Sequence, residues 1–245
     1  MNIRGIVLAG GKGTRLGELT KVTNKHLLPV GPLPMVYYPL KKIIGAGIRD
    51  VLLVSGTEHM GDFVELLGSG KDHHCSLTYR VQDEAGGIAQ ALGLAATYAA
   101  GHRSLVILGD NIFYAPVSAL LEQANEHPDW AWVGLKQVHD PGRYGVAELQ
   151  GKQVKGIEEK PKNPKSDYAV IGVYIYPPDV FEVIKTLKPS GRGELEITDV
   201  NNHYLQQRRM GYTIIDGYWT DAGTLESLAV ANQLVLEKPP LYSPS

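Results

Sequence analysis

Ile3-Arg4-Gly5-Ile6-Val7-Leu8-Ala9-Gly10-Gly11-Lys12-Gly13-Thr14-Arg15-Leu16 stands at the head of the chain. Residues 3–9 form a nearly continuous apolar run, the pattern of a strand buried on both faces of a parallel sheet. Glycines 10, 11 and 13 follow at once. They let the backbone turn sharply and bring its N–H groups close to an anion. Arg15 adds a permanent planar cation suited to phosphate oxygens. Gly11-Lys12 is not followed by Ser or Thr, and position 16 is leucine, so the loop is neither a Walker loop nor a dinucleotide fingerprint. Read alone, it is an anion cradle or a tight turn from strand to helix.

Downstream, strand and helix patterns alternate. Pro34 is expected to open a helix through Tyr38, Leu40 and Ile44. Strands are expected at 51–55, 76–81 and 104–108, and helices at 60–67, closed by Gly68, and at 88–100, which is rich in alanine. This order predicts an α/β fold: an open, mostly parallel sheet with helices on both faces. Such sheets bind ligands at the carboxyl ends of their strands. Gly11, Gln82 and Asp110, far apart in sequence, should therefore share one edge. The second half reads as strands at 131–136, 145–149, 153–158 and 168–176, which either extend the sheet or form a smaller antiparallel lobe. Helices at 179–187 and 196–207, a strand at 212–215 and a last helix at 225–236 complete it. Residues 1–238 read as one domain with two intimate halves, about 1–130 and 131–238, followed by a Pro-rich, frayed tail at 239–245.

The 245-residue length allows a substantial core, and 43% hydrophobic with 20% charged residues fits a globular chain. A formal net charge of -2 supplies no basic field for nucleic acid or a membrane surface, so neither partner is expected. A phosphate ligand must be held by local cations and amides. Cys75 is the only cysteine, so no disulfide can form within the chain. It follows His73 and His74, and the run reads as an ordinary loop because adjacent side chains point apart. No apolar run reaches the roughly 18 residues of a membrane span, and the N-terminus lacks a signal-peptide pattern, so a cytoplasmic protein is expected.

Gly10-Gly11-Lys12-Gly13-Thr14-Arg15-Leu16 resembles the signature loop of the sugar nucleotidyltransferases. Further matches follow in order: Lys25-His26-Leu27-Leu28-Pro29, Leu108-Gly109-Asp110-Asn111-Ile112-Phe113, Glu158-Glu159-Lys160-Pro161, Arg192-Gly193-Glu194-Leu195-Glu196-Ile197-Thr198-Asp199 and Trp219-Thr220-Asp221-Ala222-Gly223-Thr224. Together they are most similar to the glucose-1-phosphate thymidylyltransferase branch. The resemblance implies a Rossmann-like sheet with a smaller antiparallel sugar-binding lobe, a homo-oligomer, and Mg²⁺ as cofactor. It implies a reaction that joins dTTP to glucose 1-phosphate and releases pyrophosphate. UTP or another hexose 1-phosphate would use the same chemistry, and a silent nucleotide-sugar sensor could share the fold.

An anionic phosphate oxygen needs no serine, cysteine or base to activate it. Catalysis then rests on positioning and charge neutralisation. By resemblance, Leu8, Gly10, Gly11, Gly13, Thr14, Arg15, Lys25, Gln82, Gly87 and Asp110 bind the nucleotide. Arg15 and Lys25 face the β- and γ-phosphates, and the glutamine that usually follows this lysine is His26 here. Asp110 and Asp221 are the implied Mg²⁺ ligands, in keeping with a cation that takes one or two carboxylates plus phosphates and waters. Asn111, Gly145, Glu159, Lys160, Val170, Tyr174 and Arg192 are implied on the sugar-phosphate side. Glu159 and Lys160, as strand neighbours, would point to opposite faces; the resemblance puts both in the site. Ile171 stands where the family commonly has threonine, and Trp219 reads as core more than as a stacking platform. Arg15, Lys25, Asp110, Lys160 and Asp221 form the implied catalytic set. Base choice falls to Gln82 and Gly87, because a glutamine amide can pair with the donor–acceptor edge of thymine or uracil. Longer members carry a C-terminal extension linked to feedback control, so weak or absent feedback is expected here.

Overall fold

The computed structural model describes residues 2–11 and 13–243. Lys12 of the signature loop, and Pro244 and Ser245 of the tail, lie outside the described residues. The first half runs β1 (Ile3–Leu8), β2 (Pro29–Val30), β3 (Leu33–Pro34), α1 (Tyr37–Gly45), β4 (Asp50–Gly56), α2 (Met60–Leu67), β5 (Ser76–Gln82), α3 (Ile88–Gly93), β6 (Arg103–Leu108), β7 (Asn111–Phe113) and α4 (Ser118–Glu126). The second runs β8 (Ala131–Gln137), β9 (Gly145–Gln150), β10 (Gln153–Glu159), β11 (Tyr168–Tyr176), α5 (Val180–Thr186), α6 (Ile197–Gln206), β12 (Met210–Ile214), β13 (Trp219–Asp221) and α7 (Leu225–Glu237).

One nine-stranded sheet crosses both halves in the order β10-β9-β11-β6-β1-β4-β5, with β8 on β11 and β12 on β8. β6, β1, β4 and β5 are parallel, as expected from their apolar runs. β11 joins them antiparallel through Val173↔Ile107, so the second half extends the sheet. β1 has Ile6, Val7 and Leu8 almost fully buried. One apolar layer packs its Ile6 and Leu8 face under α3, α5 and α6; the other packs Val7 under α1, α2 and α4. A third cluster seats α7 on the short β7–β13 ribbon through Ile112, Ala222 and Leu228.

Three expectations need correction. Pro34 lies in β3, paired with Pro29, and the helix begins at Tyr37. The proline in its first turn is Pro39, where a missing N–H costs nothing. The alanine-rich helix ends at Gly93 rather than at residue 100. There the bonds tighten to three-residue turns (Ala95 N–H to Leu92 O, 2.9 Å; Ala96 N–H to Gly93 O, 3.2 Å) while Ala95 and Ala99 stay buried. Tertiary packing overrides the alanine propensity. The tail expected to fray is fastened as far as Tyr242. Leu241 N–H donates to Tyr114 O (2.9 Å), and the buried Lys42 Nζ donates to the carbonyls of Tyr114, Ala115 and Leu241 at 2.8, 2.7 and 2.6 Å. Helix α4 was absent from the sequence reading, although its Leu120, Leu121 and Ala124 share a buried face at helical spacing. Among the described residues no helix is long and apolar enough to cross a membrane.

Candidate active site

A cavity of about 400 Å³ opens at the carboxyl edge of the parallel strands. Gly11 after β1, Gln82 at the end of β5 and Asp110 after β6 all line it, so the three positions predicted to share an edge do meet. Leu8, Arg15, Lys25 and Gly87 line the same half. Gly10, Gly13 and Thr14 do not line it. Gly13 is left-handed (φ 61°) and begins the short turn over Thr14–Thr20, which carries Arg15 outward. Arg15 is exposed, and among the described residues it forms no ion pair. It reaches across to the β13 loop: a Cβ on Gly223 would stand 3.2 Å from its Nη2.

Asp110 is the most tightly held group. Oδ2 accepts from Lys25 Nζ at 2.5 Å, and Oδ1 accepts from Asn111 Nδ2 at 3.0 Å. Burial alone would raise its pKa. The Lys25 charge, then His26 and the bonds from Lys25 and Asn111, outweigh burial and hold the carboxyl well below the usual carboxylate range. Asp221 is its counterpart on the neighbouring strand, with Asp221↔Asn111 in register between β13 and β7. Its carboxyl is raised by burial and then by the Asp110 charge. Among the described residues it accepts one long bond, from Tyr144 Oη at 3.4 Å.

His26 lies buried in the wall beside this pair. Asn24 Oδ1 accepts from the His26 backbone N–H (2.9 Å) and lies 2.7 Å from Nδ1. A carbonyl oxygen only accepts, so Nδ1 carries the proton. Burial, and then Lys25, lowers the imidazole pKa to about 3, leaving the ring neutral.

Asn111 acts as a hub. Its Oδ1 accepts from Gly172 N–H (2.9 Å) and Trp219 Nε1–H (2.7 Å), while Nδ2 serves Asp110. On this edge β11 changes partner, from β9 at Val170 to β6 at Val173, and the Asn111 side chain bonds Gly172 between the two pairings. A Cβ on Gly172 would stand 2.5 Å from Asn111 Nδ2. Among the described residues, one N–H of Asn111 is left for a ligand. Trp219 is half-buried, lines the cavity and meets the Tyr144 ring edge-on at 5.1 Å.

Gly145, Val170, Tyr174, Glu159 and Lys160 line the other half of the cavity. Glu159 and Lys160 do not point to opposite faces. Lys160 takes a left-handed conformation (φ 46°), its N–H donates to Tyr144 O (2.9 Å), and Nζ returns to 3.8 Å from Glu159 Oε1. The strand ends at Glu159, so its alternation no longer applies. Glu159 Oε2 accepts from Thr198 Oγ1 at 2.7 Å. Arg192 does not line the cavity. Its guanidinium binds Glu196 at 2.8 Å and stays 3.6 Å from Glu159. Ile171 faces the opposite apolar layer, fully buried.

Sequence reasoning missed Arg143, Glu194, Ile197 and Thr198, all in the cavity wall. Thr198 lies within the Arg192–Asp199 motif, and its spacing from Val200, Asn201 and Tyr204 places it on the buried side of α6. Nothing local marks Arg143. The two halves are sewn together at Gly87, where Leu195 N–H donates to Gly86 O (2.8 Å) and Ala89 N–H donates to Leu195 O (3.2 Å). With φ 98°, a Cβ on Gly87 would strike Leu195 O at 2.5 Å, so this close approach requires glycine.

The family model described as nucleotidyl transferase matches residues 4–238. A glucose-1-phosphate thymidylyltransferase of Neisseria meningitidis serogroup A is 44% identical over 95% of this chain and 82% of its own length. One from Mycolicibacterium smegmatis is 43% identical with the same coverage. A Bacillus anthracis protein assigned as a glucose-1-phosphate thymidylyltransferase, solved in complex with a sucrose, has a TM-score of 0.92 at 53% identity, covering 95% of this chain and 94% of that one. A UDP-glucose pyrophosphorylase solved with UDP-glucose shares the fold, with a TM-score of 0.87 at 23% identity over 97% of this chain and 99% of its own. The chain is an enzyme of the nucleotidyl transferase family, in its glucose-1-phosphate thymidylyltransferase branch.

Proposed function

We infer that the enzyme joins dTTP to α-D-glucose 1-phosphate, giving dTDP-glucose and pyrophosphate. One observation supports this reading: Arg15, Lys25, Gln82, the Asp110–Asp221 pair, Glu159 and Lys160 all line one cavity. It has room and charge for two phosphate substrates that meet at the acidic pair. A phosphate oxygen of the sugar phosphate attacks the α-phosphorus and forms the new P–O bond. The bond from that phosphorus to the bridging oxygen breaks, and pyrophosphate leaves with the electron pair.

Arg15 and Lys25 oppose the charge that grows on the leaving group. Lys160 offsets the charge of the attacking phosphate, and Glu159, oriented by Thr198, accepts sugar hydroxyls. Holding both reactants in line is worth roughly 7–11 kcal/mol, so the site needs no nucleophilic side chain. The residues fit Mg²⁺. Among the described residues the acidic group is a pair with no third His, Cys, Asp or Glu, and Asp221 keeps lone pairs free. A cation held there supplies positive charge to the phosphates. On this reading residues 1–130 form the nucleotide half and 131–238 the sugar half of one domain.

The test supplies purified enzyme with Mg²⁺, glucose 1-phosphate and each nucleoside triphosphate in turn, and reads pyrophosphate release with the mass of the product. Fastest turnover with dTTP is expected. Faster turnover with UTP would reassign the base, and no pyrophosphate from any triphosphate would overturn the reading.

A further inference from the structure

Gln82 is nearly buried, at 7% exposure, and its amide is gripped from both ends. On the oxygen side lies Gly10, where a Cβ would stand 2.4 Å from Oε1. On the nitrogen side Nε2 donates to Gln90 Oε1 at 2.6 Å. Gln90 is the third residue of α3, and its side chain is braced on Gly86, whose Cβ position is 3.0 Å from Gln90 Cγ. Gln90 does not itself line the cavity.

We propose that Gln90 is a positioning residue for base selection: by accepting from Gln82 Nε2 it sets which end of that amide faces the pyrimidine, and so favours 4-keto over 4-amino bases. The inference rests on the reading of Gln82 as the residue that meets the base. The two orientations of a primary amide are nearly isosteric but opposite in hydrogen bonding. With one N–H committed to Gln90, Gln82 offers Oε1 as acceptor beside its second N–H as donor. That pattern matches the N3–H donor and O4 acceptor of thymine or uracil. Cytosine presents the reverse, an N3 acceptor beside N4–H donors. Turning Gln82 to suit it would set Oε1 against Gln90 Oε1, two acceptors with no proton between them, or would force Gln90 to turn as well. Thymine and uracil share the keto edge, so Gln90 should not separate them.

The test compares wild type with Gln90→Met and Gln90→Glu, using dTTP, UTP and dCTP. Methionine removes the acceptor at similar volume. Glutamate can only accept, so it keeps Gln82 turned the same way. In Gln90→Met the ratio of kcat/KM for dTTP to that for dCTP should fall about tenfold or more, the worth of one hydrogen bond in a dry site. In Gln90→Glu the ratio should stay at or above wild type. The dTTP-to-UTP ratio and the KM for glucose 1-phosphate should hold in both variants. A dTTP-to-dCTP ratio within twofold of wild type in Gln90→Met, or an equal loss in Gln90→Glu, would overturn the proposal. Equilibrium binding of dTTP and dCTP gives the same ratio without turnover. An enzyme inactive with every triphosphate would therefore refute the functional reading while binding still decides the role of Gln90.

Discussion

The two halves of the cavity, proposed to take the nucleotide and the sugar phosphate, are built in opposite ways. In the first, three lining residues stand at the ends of parallel strands: Gly11 after β1, Gln82 at the end of β5, Asp110 after β6. Parallel strands deliver their carboxyl ends to one edge, so a list of strand ends is already a list of site residues. In the second, neighbouring strands run in alternate directions. Gly145 begins β9, Glu159 ends β10, Val170 and Tyr174 flank a register shift inside β11, and Thr198 comes from α6. No single edge collects them; side-chain bonds and one left-handed residue do. The two modes differ in charge as well. Both carboxyl oxygens of Asp110 accept hydrogen bonds, whereas Asp221 stands half-buried beside another anion.

The comparison breaks most readily at Asp110. Asp110→Asn should cut turnover by at least about 10²–10³-fold, the loss typical of one group preorganised for charge in the transition state. Pyrophosphate release measures it, and an unchanged circular dichroism spectrum would locate the loss in the site. Lys42 tests whether the tail supports the nucleotide half. Lys42→Met takes the shared donor from the carbonyls of Ala115 and Leu241, while Tyr114 O keeps its bond from Leu241 N–H. Leaving buried acceptors unpaired should cost on the order of 3 kcal/mol, read by denaturant unfolding; a loss under about 1 kcal/mol would mean that the tail does not depend on it.

Thr198→Val sharpens the separation between halves. It removes the donor to Glu159 and should lower kcat/KM for the sugar phosphate about tenfold, the scale of a hydrogen bond to a charged group, while the KM for the nucleotide stays constant. Equal rises in both KM values would show that the halves are coupled.

The smallest effect is on stability, at Asp221. Its carboxyl is raised in the folded chain, so between the unfolded and folded pKa values the native state binds the extra proton. The stability contribution of this group therefore falls as pH rises through that window. Asp221→Asn, without added metal, should melt about 2–4 °C above wild type at pH 7, while turnover is lost. The gain should shrink on the acid side, where wild-type Asp221 takes its proton. A melting difference that ignores pH would remove the electrostatic explanation.

The parallel sheet was legible because apolar runs such as residues 3–9 and 51–55 are local signals, and strand and helix periods differ. The antiparallel extension was only half legible, since periodicity identifies strands but not their neighbours. The helix at 88–100 was overread because alanine propensity is additive, whereas termination at Gly93 depends on contact with the rest of the fold. Arg192 stood in a motif and lined nothing, its charge taken by Glu196; Arg143 lined the cavity without a motif to announce it.

By itself, the sequence determined that strands would end in loops sharing one edge, with the glycines after β1, Gln82 and Asp110 standing on them. Those features follow from residue order and period alone. Only the tertiary structure decided that Lys160 turns back beside Glu159, that Asn111 joins β11, Trp219 and Asp110, that Lys42 fastens the tail, and that Gln90 orients Gln82. Most of these join segments remote in the chain. All rest on distances and side-chain directions that no local pattern encodes, because a hydrogen bond depends on where two atoms meet in space and not on how many residues separate them.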